Sequence, residues 1–241
     1  MCRMAGVVFT RRYPKAVLED LKEVGHHGRV PDERALGHPH GWGVTSFRDG
    51  VPYYLVRSPE PVFQDPIFAS VEATLTALPS PGIVLAHVRH ASKGIVKEEN
   101  THPFIVGGIA LAHNGTIEGL KPPAGSRQKG ETDSEILALM LAEFYDEKHD
   151  LRSAMKSLVK EAVQPKEFTA AIILASDGRT LAGYRDYTKN GDYYDLRIAQ
   201  SSDRVIIFQE GKSTYASPSE QVAKGELITV GLDLDLAKGS V

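Results

Sequence analysis

The sequence predicts a layered α+β protein in which two packed sheets lie between helices. Three observations lead there. Strand-like runs come first, a pair of helices follows in the middle, and strand-like runs return. Ile83-Val84-Leu85-Ala86-His87-Val88 is apolar almost throughout, as a strand covered on both faces must be. A chain of 241 residues also has enough material for a sizeable core. Strands that alternate this poorly need cover on more than one face, and stacked sheets with helices outside provide it.

The elements follow in order. Met4, Ala5, Val7, Val8 and Phe9 make an apolar run of strand length directly behind Cys2. A strand starting there would hold Cys2 firmly at a sheet edge, where a bare terminus would fray. Residues 16–24 suit a short helix, with Ala16, Val17, Leu21 and Val24 on one face. His40-Gly41-Trp42-Gly43-Val44 leads into a strand, and Arg48-Asp49-Gly50 turns it into a second at 51–56. Trp42 fits either core packing or a close backbone approach beside its glycines.

A helix is expected at 68–78, stopped by Pro79-Ser80-Pro81-Gly82, and then the buried strand 83–88. Another strand, 109–113, runs into Asn114-Gly115, and 121–130 reads as an exposed loop. Thr132 and Glu135 form a capping box for the longest helix, 132–145, with Asp133 at the positive end of its dipole. A second helix covers 151–163. Strands follow at 168–175, 180–184, 196–199, 205–209 and 226–230, separated by Asp177-Gly178, Asn190-Gly191 and a loop over 211–225. With no repeat or linker, residues 1–241 are expected to form one domain.

Composition excludes several function classes. The balance of 28 basic and 31 acidic residues offers nothing to nucleic acid or an anionic membrane. A single cysteine permits no internal disulfide and no thiolate zinc cluster. No signal-type leader is present, nor any apolar run of about 18 residues, so a soluble, cytoplasmic protein is expected. His26-His27 and His38-Pro39-His40 lack a partner at ligand spacing, and no metal or cofactor is expected.

Cys2 itself carries chemistry. Once Met1 is removed it bears a thiol and the α-amine, whose reference pKa is about 7.7–8.0. Nucleophile and general base then belong to one residue. Four further segments stand at suggestive positions: His40-Gly41-Trp42-Gly43, Arg89-His90-Ala91-Ser92, Asn114-Gly115 and Thr132-Asp133-Ser134-Glu135. Together with Cys2, in this order, they resemble the class II glutamine amidotransferase domain of the N-terminal nucleophile hydrolases. Gly-Trp-Gly and Glu99-Asn100-Thr101-His102-Pro103-Phe104 look most like the stand-alone members of that family.

The resemblance implies a four-layer αββα sandwich and hydrolysis of a γ-glutamyl amide. Cys2 would attack the side-chain amide of glutamine, with its amine taking the proton. The Asn114 side-chain amide and the Gly115 N–H would hold the oxyanion. Arg89 would clamp the substrate α-carboxylate in two-pronged fashion, Ser92 would add a hydroxyl, and Asp133 would pair with the α-ammonium. The expected partner is a separate synthase that consumes the ammonia. His90, Ser92 and Lys93 stand where the family often has tryptophan, threonine and histidine. This leaves two alternatives: an amidohydrolase of γ-glutamyl peptides or ergothioneine-pathway γ-glutamyl thiols, and a non-catalytic γ-glutamyl-binding regulatory subunit. His87, His102 and His113 read as structural.

Overall fold

The computed structural model of the chain describes residues 2–31, 37–211 and 218–241. In chain order the elements are β1 (Arg3–Phe9), α1 (Ala16–His27), β2 (Trp42–Arg48), β3 (Val51–Ser58), α2 (Ile67–Thr76), β4 (Gly82–Val88), β5 (Phe104–Val106), β6 (Ile109–Ile117), α3 (Asp133–Lys148) and α4 (Leu151–Leu158). Then come β7 (Phe168–Ser176), β8 (Thr180–Tyr187), β9 (Arg197–Gln200), β10 (Arg204–Phe208), β11 (Ser219–Gln221), β12 (Glu226–Gly231) and β13 (Leu236–Ser240).

They form two sheets with strand orders β11-β9-β10-β1-β4-β2-β3 and β13-β12-β8-β7-β6-β5. The inner faces meet through Met4, Val8, Ile83 and Leu85 on the first sheet and Ala110, Ala112, Ile172 and Leu174 on the second. Small side chains on one face let large ones on the other interdigitate. Helices α1 and α2 cover the outside of the first sheet, where Val17, Leu18, Leu21, Phe68 and Leu75 pack over Val84 and Ala86. Helices α3 and α4 cover the second, with Leu137, Leu141, Met155 and Leu158 over Leu111 and Ile173. The expected αββα layering is the observed one. Each fully buried leucine in these layers contributes about 1.5–3 kcal/mol.

The pleat sets the direction of the first residues. Ala5, Val7 and Phe9 face the helices, while Met4 and Val8 face the other sheet. Gly6 shares that inner face, where an added Cβ would come 2.8 Å from Leu181. Even-numbered positions of β1 therefore point at the seam between the sheets, and Cys2 continues the series.

The structure also corrects the sequence reading. The first strand is not at a sheet edge: β1 is central, paired with β10 on one side and β4 on the other. Strand β6 runs on through Asn114 and Gly115, with a bulge between Gly115 and Ile117. Short strands β5, β11 and β13, of three to five residues, carry too few residues for their alternation to register. The capping box is half formed. Thr132 Oγ1 accepts from Glu135 N at 3.2 Å, but the Glu135 carboxylate accepts from Lys129 N and Gly130 N, both at 2.7 Å, and so ties down the preceding loop. Trp42 is a core residue, edge-on to Phe68 with its indole N–H donating to Asp65 at 3.0 Å. The Asp49-Gly50 turn forms as expected, with both residues at positive φ.

Candidate active site

Strand pairing brings the site together. Arg3 lies opposite Val88, so the end of β4 delivers Arg89 and His90 beside Cys2. From the facing sheet, β6 brings Asn114 and Gly115, and the first turn of α3 brings Asp133 behind them. The Cys2 nitrogen donates to Asn114 Oδ1 at 3.0 Å, and its Sγ lies 3.7 Å from the His90 carbonyl. The nucleophile candidate is thus anchored across the seam.

Gly115 is fixed by space as well as chemistry. Its φ is +147° and a Cβ there would sit 1.8 Å from Ala170 O, so the backbone accommodates no other residue. Asp133 is buried, and its Oδ2 accepts from Ile117 N at 2.7 Å. Ser92 Oγ lies 3.4 Å from Thr116 Oγ1, which joins the loop after β4 to the end of β6.

Arg89 is buried and already engaged. Nη1 donates to Ile95 O at 3.1 Å, and Nη2 to Lys93 O at 2.9 Å and Gly94 O at 3.3 Å. These carbonyls take hydrogens that a two-pronged clamp on a carboxylate would use. The loop is held in turn from outside: Glu131 accepts from Ile95 N at 3.2 Å and Asn100 Nδ2 donates to Ile95 O at 3.0 Å. Lys97 and Asn100 hold the Glu131 carboxyl down at about 2. Burial draws the Arg89 guanidinium below its ordinary pKa, with Cys2 and Glu131 pulling it back.

Cys2, Arg89, Ser92, Gly115 and Asp133 line one cleft of about 20 Å³, with Asn114 bonded to Cys2 behind it. One water-sized sphere needs about 10–15 Å³. The cleft is narrow, and within it the Arg89 guanidinium is tied to the carbonyls of Lys93, Gly94 and Ile95. All six residues singled out in the sequence meet here. A larger groove of about 380 Å³, bordered by Leu55, Arg57, Phe104 and Lys129, shares no lining residue with the cleft.

Sequence reasoning missed the residues that hold Cys2 and Asn114 from behind. Gln209 Oε1 accepts from Asn114 Nδ2 at 3.1 Å, and its Nε2 donates to Asp195 O at 2.9 Å. Arg3, fully buried, donates to the Cys2 carbonyl at 3.1 Å and to Glu210 at 2.6 Å, with its guanidinium 3.9 Å from the Tyr193 ring centroid. The only signal was a polar pair, Gln209-Glu210, ending the apolar run of β10.

Three buried imidazoles pack beside the cleft. His87 and His102 lie ring to ring at 4.1 Å, and neither ring nitrogen of His102 has a hydrogen-bond partner among the described residues. His113 Nε2 faces Ala170 O at 3.3 Å, which can only accept, so Nε2 carries the proton and Nδ1, at 3.0 Å, accepts from Ser134 Oγ. Burial pushes all three below the ordinary histidine pKa, His87 and His102 well below. A depressed folded pKa means the unfolded chain binds more protons below about 6.5. Stability is therefore full above that pH and falls as pH drops through it, by up to about 1.4 kcal/mol per unit for each ring. Urea unfolding at pH 7.5, 6 and 5 is expected to show a falling midpoint. A midpoint constant across that window would mean these rings are not held neutral.

Residues 24–199 match the family described as "Glutamine amidotransferases class-II". The chain is 31% identical over 179 residues to the γ-glutamyl-hercynylcysteine sulfoxide hydrolase of Mycobacterium tuberculosis (strain H37Rv), covering 74% of this chain and 70% of that one. It is 26% identical over 192 residues to the glutamine–fructose-6-phosphate aminotransferase (isomerizing) of Agrobacterium fabrum, covering 77% of this chain and 28% of that one. The solved glutamine phosphoribosylpyrophosphate amidotransferase of B. subtilis superposes with a TM-score of 0.68 at 19% identity, over 99% of this chain and 49% of that one. The chain likewise spans 58% of a Methanocaldococcus jannaschii relative, at 28% identity over 87% of this chain. No helix among the described residues is long and apolar enough to cross a membrane.

Proposed function

Because the chain belongs to the class II glutamine amidotransferases, enzymes built on the N-terminal nucleophile hydrolase fold, we propose that it hydrolyses the side-chain amide of glutamine through a thioester on Cys2. The observation that carries this reading is the contact between the Cys2 nitrogen and Asn114 across the seam, with Gly115, Arg89 and Asp133 around the same cleft. The Cys2 thiol passes its proton to the α-amine, and the thiolate attacks the amide carbon. The oxyanion meets the Gly115 N–H and the Asn114 Nδ2 hydrogen not given to Gln209. The ammonium returns its proton to the leaving nitrogen as the C–N bond breaks, which frees ammonia and leaves the thioester. Water then adds to the thioester, releasing glutamate and restoring the thiol.

The head group needs one fixed cation and one fixed anion. Arg89 and Asp133 supply them once the carbonyls of loop 93–95 give way. Arg89→Lys is expected to raise the Michaelis constant for glutamine at least tenfold (about 1.4 kcal/mol) with a smaller effect on kcat, and Asp133→Asn to act in the same direction. An unchanged Michaelis constant in either variant would show the clamp to be misassigned.

The ammonia is taken to serve a separate synthase, with residues 1–241 acting as one glutaminase domain in the cytoplasm. A second reading draws support from the likeness to the γ-glutamyl sulfoxide hydrolase. It keeps the clamp and changes the leaving group, and His90, Ser92 and Lys93 are the positions that would shape it. Ammonia and glutamate release from glutamine, measured beside release from γ-glutamyl peptides and thiols, separates the two. Binding of these compounds with no turnover of any would leave the regulatory-subunit reading.

A further inference from the structure

We propose that Gln209 is a positioning residue that sets which way the Asn114 amide faces and thereby keeps the Cys2 amine available as a base. The proposal rests on the reading of Cys2 as nucleophile given above. Its starting point is a carbonyl. Asp195 O can only accept, so the Gln209 amide must turn its nitrogen toward it, at 2.9 Å. Gln209 Oε1 is then the atom that faces Asn114, and it too can only accept. Asn114 must therefore offer Nδ2 to Gln209, at 3.1 Å, and present Oδ1 to the Cys2 nitrogen, at 3.0 Å. Both side chains are buried, Asn114 fully and Gln209 to 3% exposure, so water does not offer an alternative partner. The backbone of Gln209 continues the β1–β10 ladder through N to Met4 O at 3.0 Å, which places its side chain two residues from Cys2.

The direction of the Asn114 amide matters because a primary amide has opposite ends. With Oδ1 toward the amine, the hydrogen bond favours the protonated amine and leaves the lone pair of the free amine unengaged, ready for the thiol proton. Turned the other way, the NH₂ end would donate into that lone pair and compete with the proton. It would also remove Nδ2 from the oxyanion. One buried glutamine fixes both consequences without touching substrate.

The test uses the full chain beginning at Cys2, as wild type, Gln209→Leu and Gln209→Glu. Steady-state rates with glutamine and alkylation of Cys2 by iodoacetamide are followed from pH 5 to pH 9. Gln209→Leu is expected to lower kcat about 10–100-fold, short of or level with the loss of an oxyanion donor, with the Michaelis constant within about threefold. The acid limb of its kcat profile and of its alkylation profile should move down by about one pH unit, as the acceptor that favours the ammonium is lost. Gln209→Glu adds a distinct signature. Its protonated carboxyl can donate to Asp195 O and accept from Asn114, as glutamine does, whereas its ionised form cannot donate. Either form keeps an oxygen that accepts from Asn114 Nδ2, so the acid limb of Gln209→Glu should not move down as that of Gln209→Leu does. Wild-type kcat and an unshifted acid limb in Gln209→Leu, or a downward shift in Gln209→Glu equal to that in Gln209→Leu, overturn the proposal. Should the wild type turn over no γ-glutamyl compound, the functional reading fails, and the alkylation profiles still decide Gln209: a shifted limb upholds it and an unshifted one refutes it.

Discussion

Cys2→Ala is expected to release no ammonia above the rate of the buffer blank while melting like the wild type. Neither half of that expectation is trivial. The Sγ lies 3.7 Å from the His90 carbonyl, and the change to alanine removes only that sulfur atom. The strand behind it is held by two neighbours, from Arg3 to Phe9 against β4 and from Ala5 to Phe9 against β10, and the Cys2 nitrogen keeps Asn114. What disappears is the thioester, and no second thiol exists to replace it. Substrate should still bind to the variant with wild-type affinity. Glutaminase activity above a trace in Cys2→Ala would sink the central claim.

A chain that keeps Met1 is expected to be equally inactive, for a different reason. Met1 lies outside the described residues. With Met1 attached, the Cys2 nitrogen is an amide that donates to Asn114 Oδ1 as readily as an amine does. The fold therefore does not distinguish the two forms, and chemistry does. An amide nitrogen has no basic lone pair, so the proton of the thiol has nowhere close to go. A thiol that keeps its proton is a poor nucleophile. Intact mass and N-terminal sequencing of an active preparation check this. Turnover by molecules that all carry Met1 would overturn the amine as base, even with Cys2 as nucleophile.

Much of this was legible in the chain. The layering followed from buried runs such as Ile83 to Val88, because burial on both faces leaves an unmistakable apolar pattern. The candidate site residues were legible as a set through the resemblance to the class II glutamine amidotransferases, and the fold gathers them around one cleft. Long-range placement was not. Nothing local distinguishes a strand at a sheet edge from one at its centre, so the place of β1 awaited its pairing with β10, some two hundred residues away. Gln209 and Arg3 escaped for the same reason: their roles depend on partners at 114, 195 and 210, and a buried arginine or glutamine reads like an exposed one until its neighbours are known. The state of Arg89 was likewise hidden. Its residue type promised a clamp, and only the fold brings the loop carbonyls onto it.

The central position of β1 has a consequence for how the protein is made. The strand behind Cys2 leaves the ribosome about two hundred residues ahead of its second neighbour, Arg204 to Phe208. At synthesis rates of about 5–20 residues per second, on the order of ten to forty seconds separate Cys2 from Gln209. Throughout that interval the nascent chain holds Cys2 without the Gln209 amide that bonds Asn114 and without Glu210 to seat Arg3. Translation itself thus acts as a timer, and a polypeptide stalled before residue 204 carries the Cys2 thiol without β10 beside its strand.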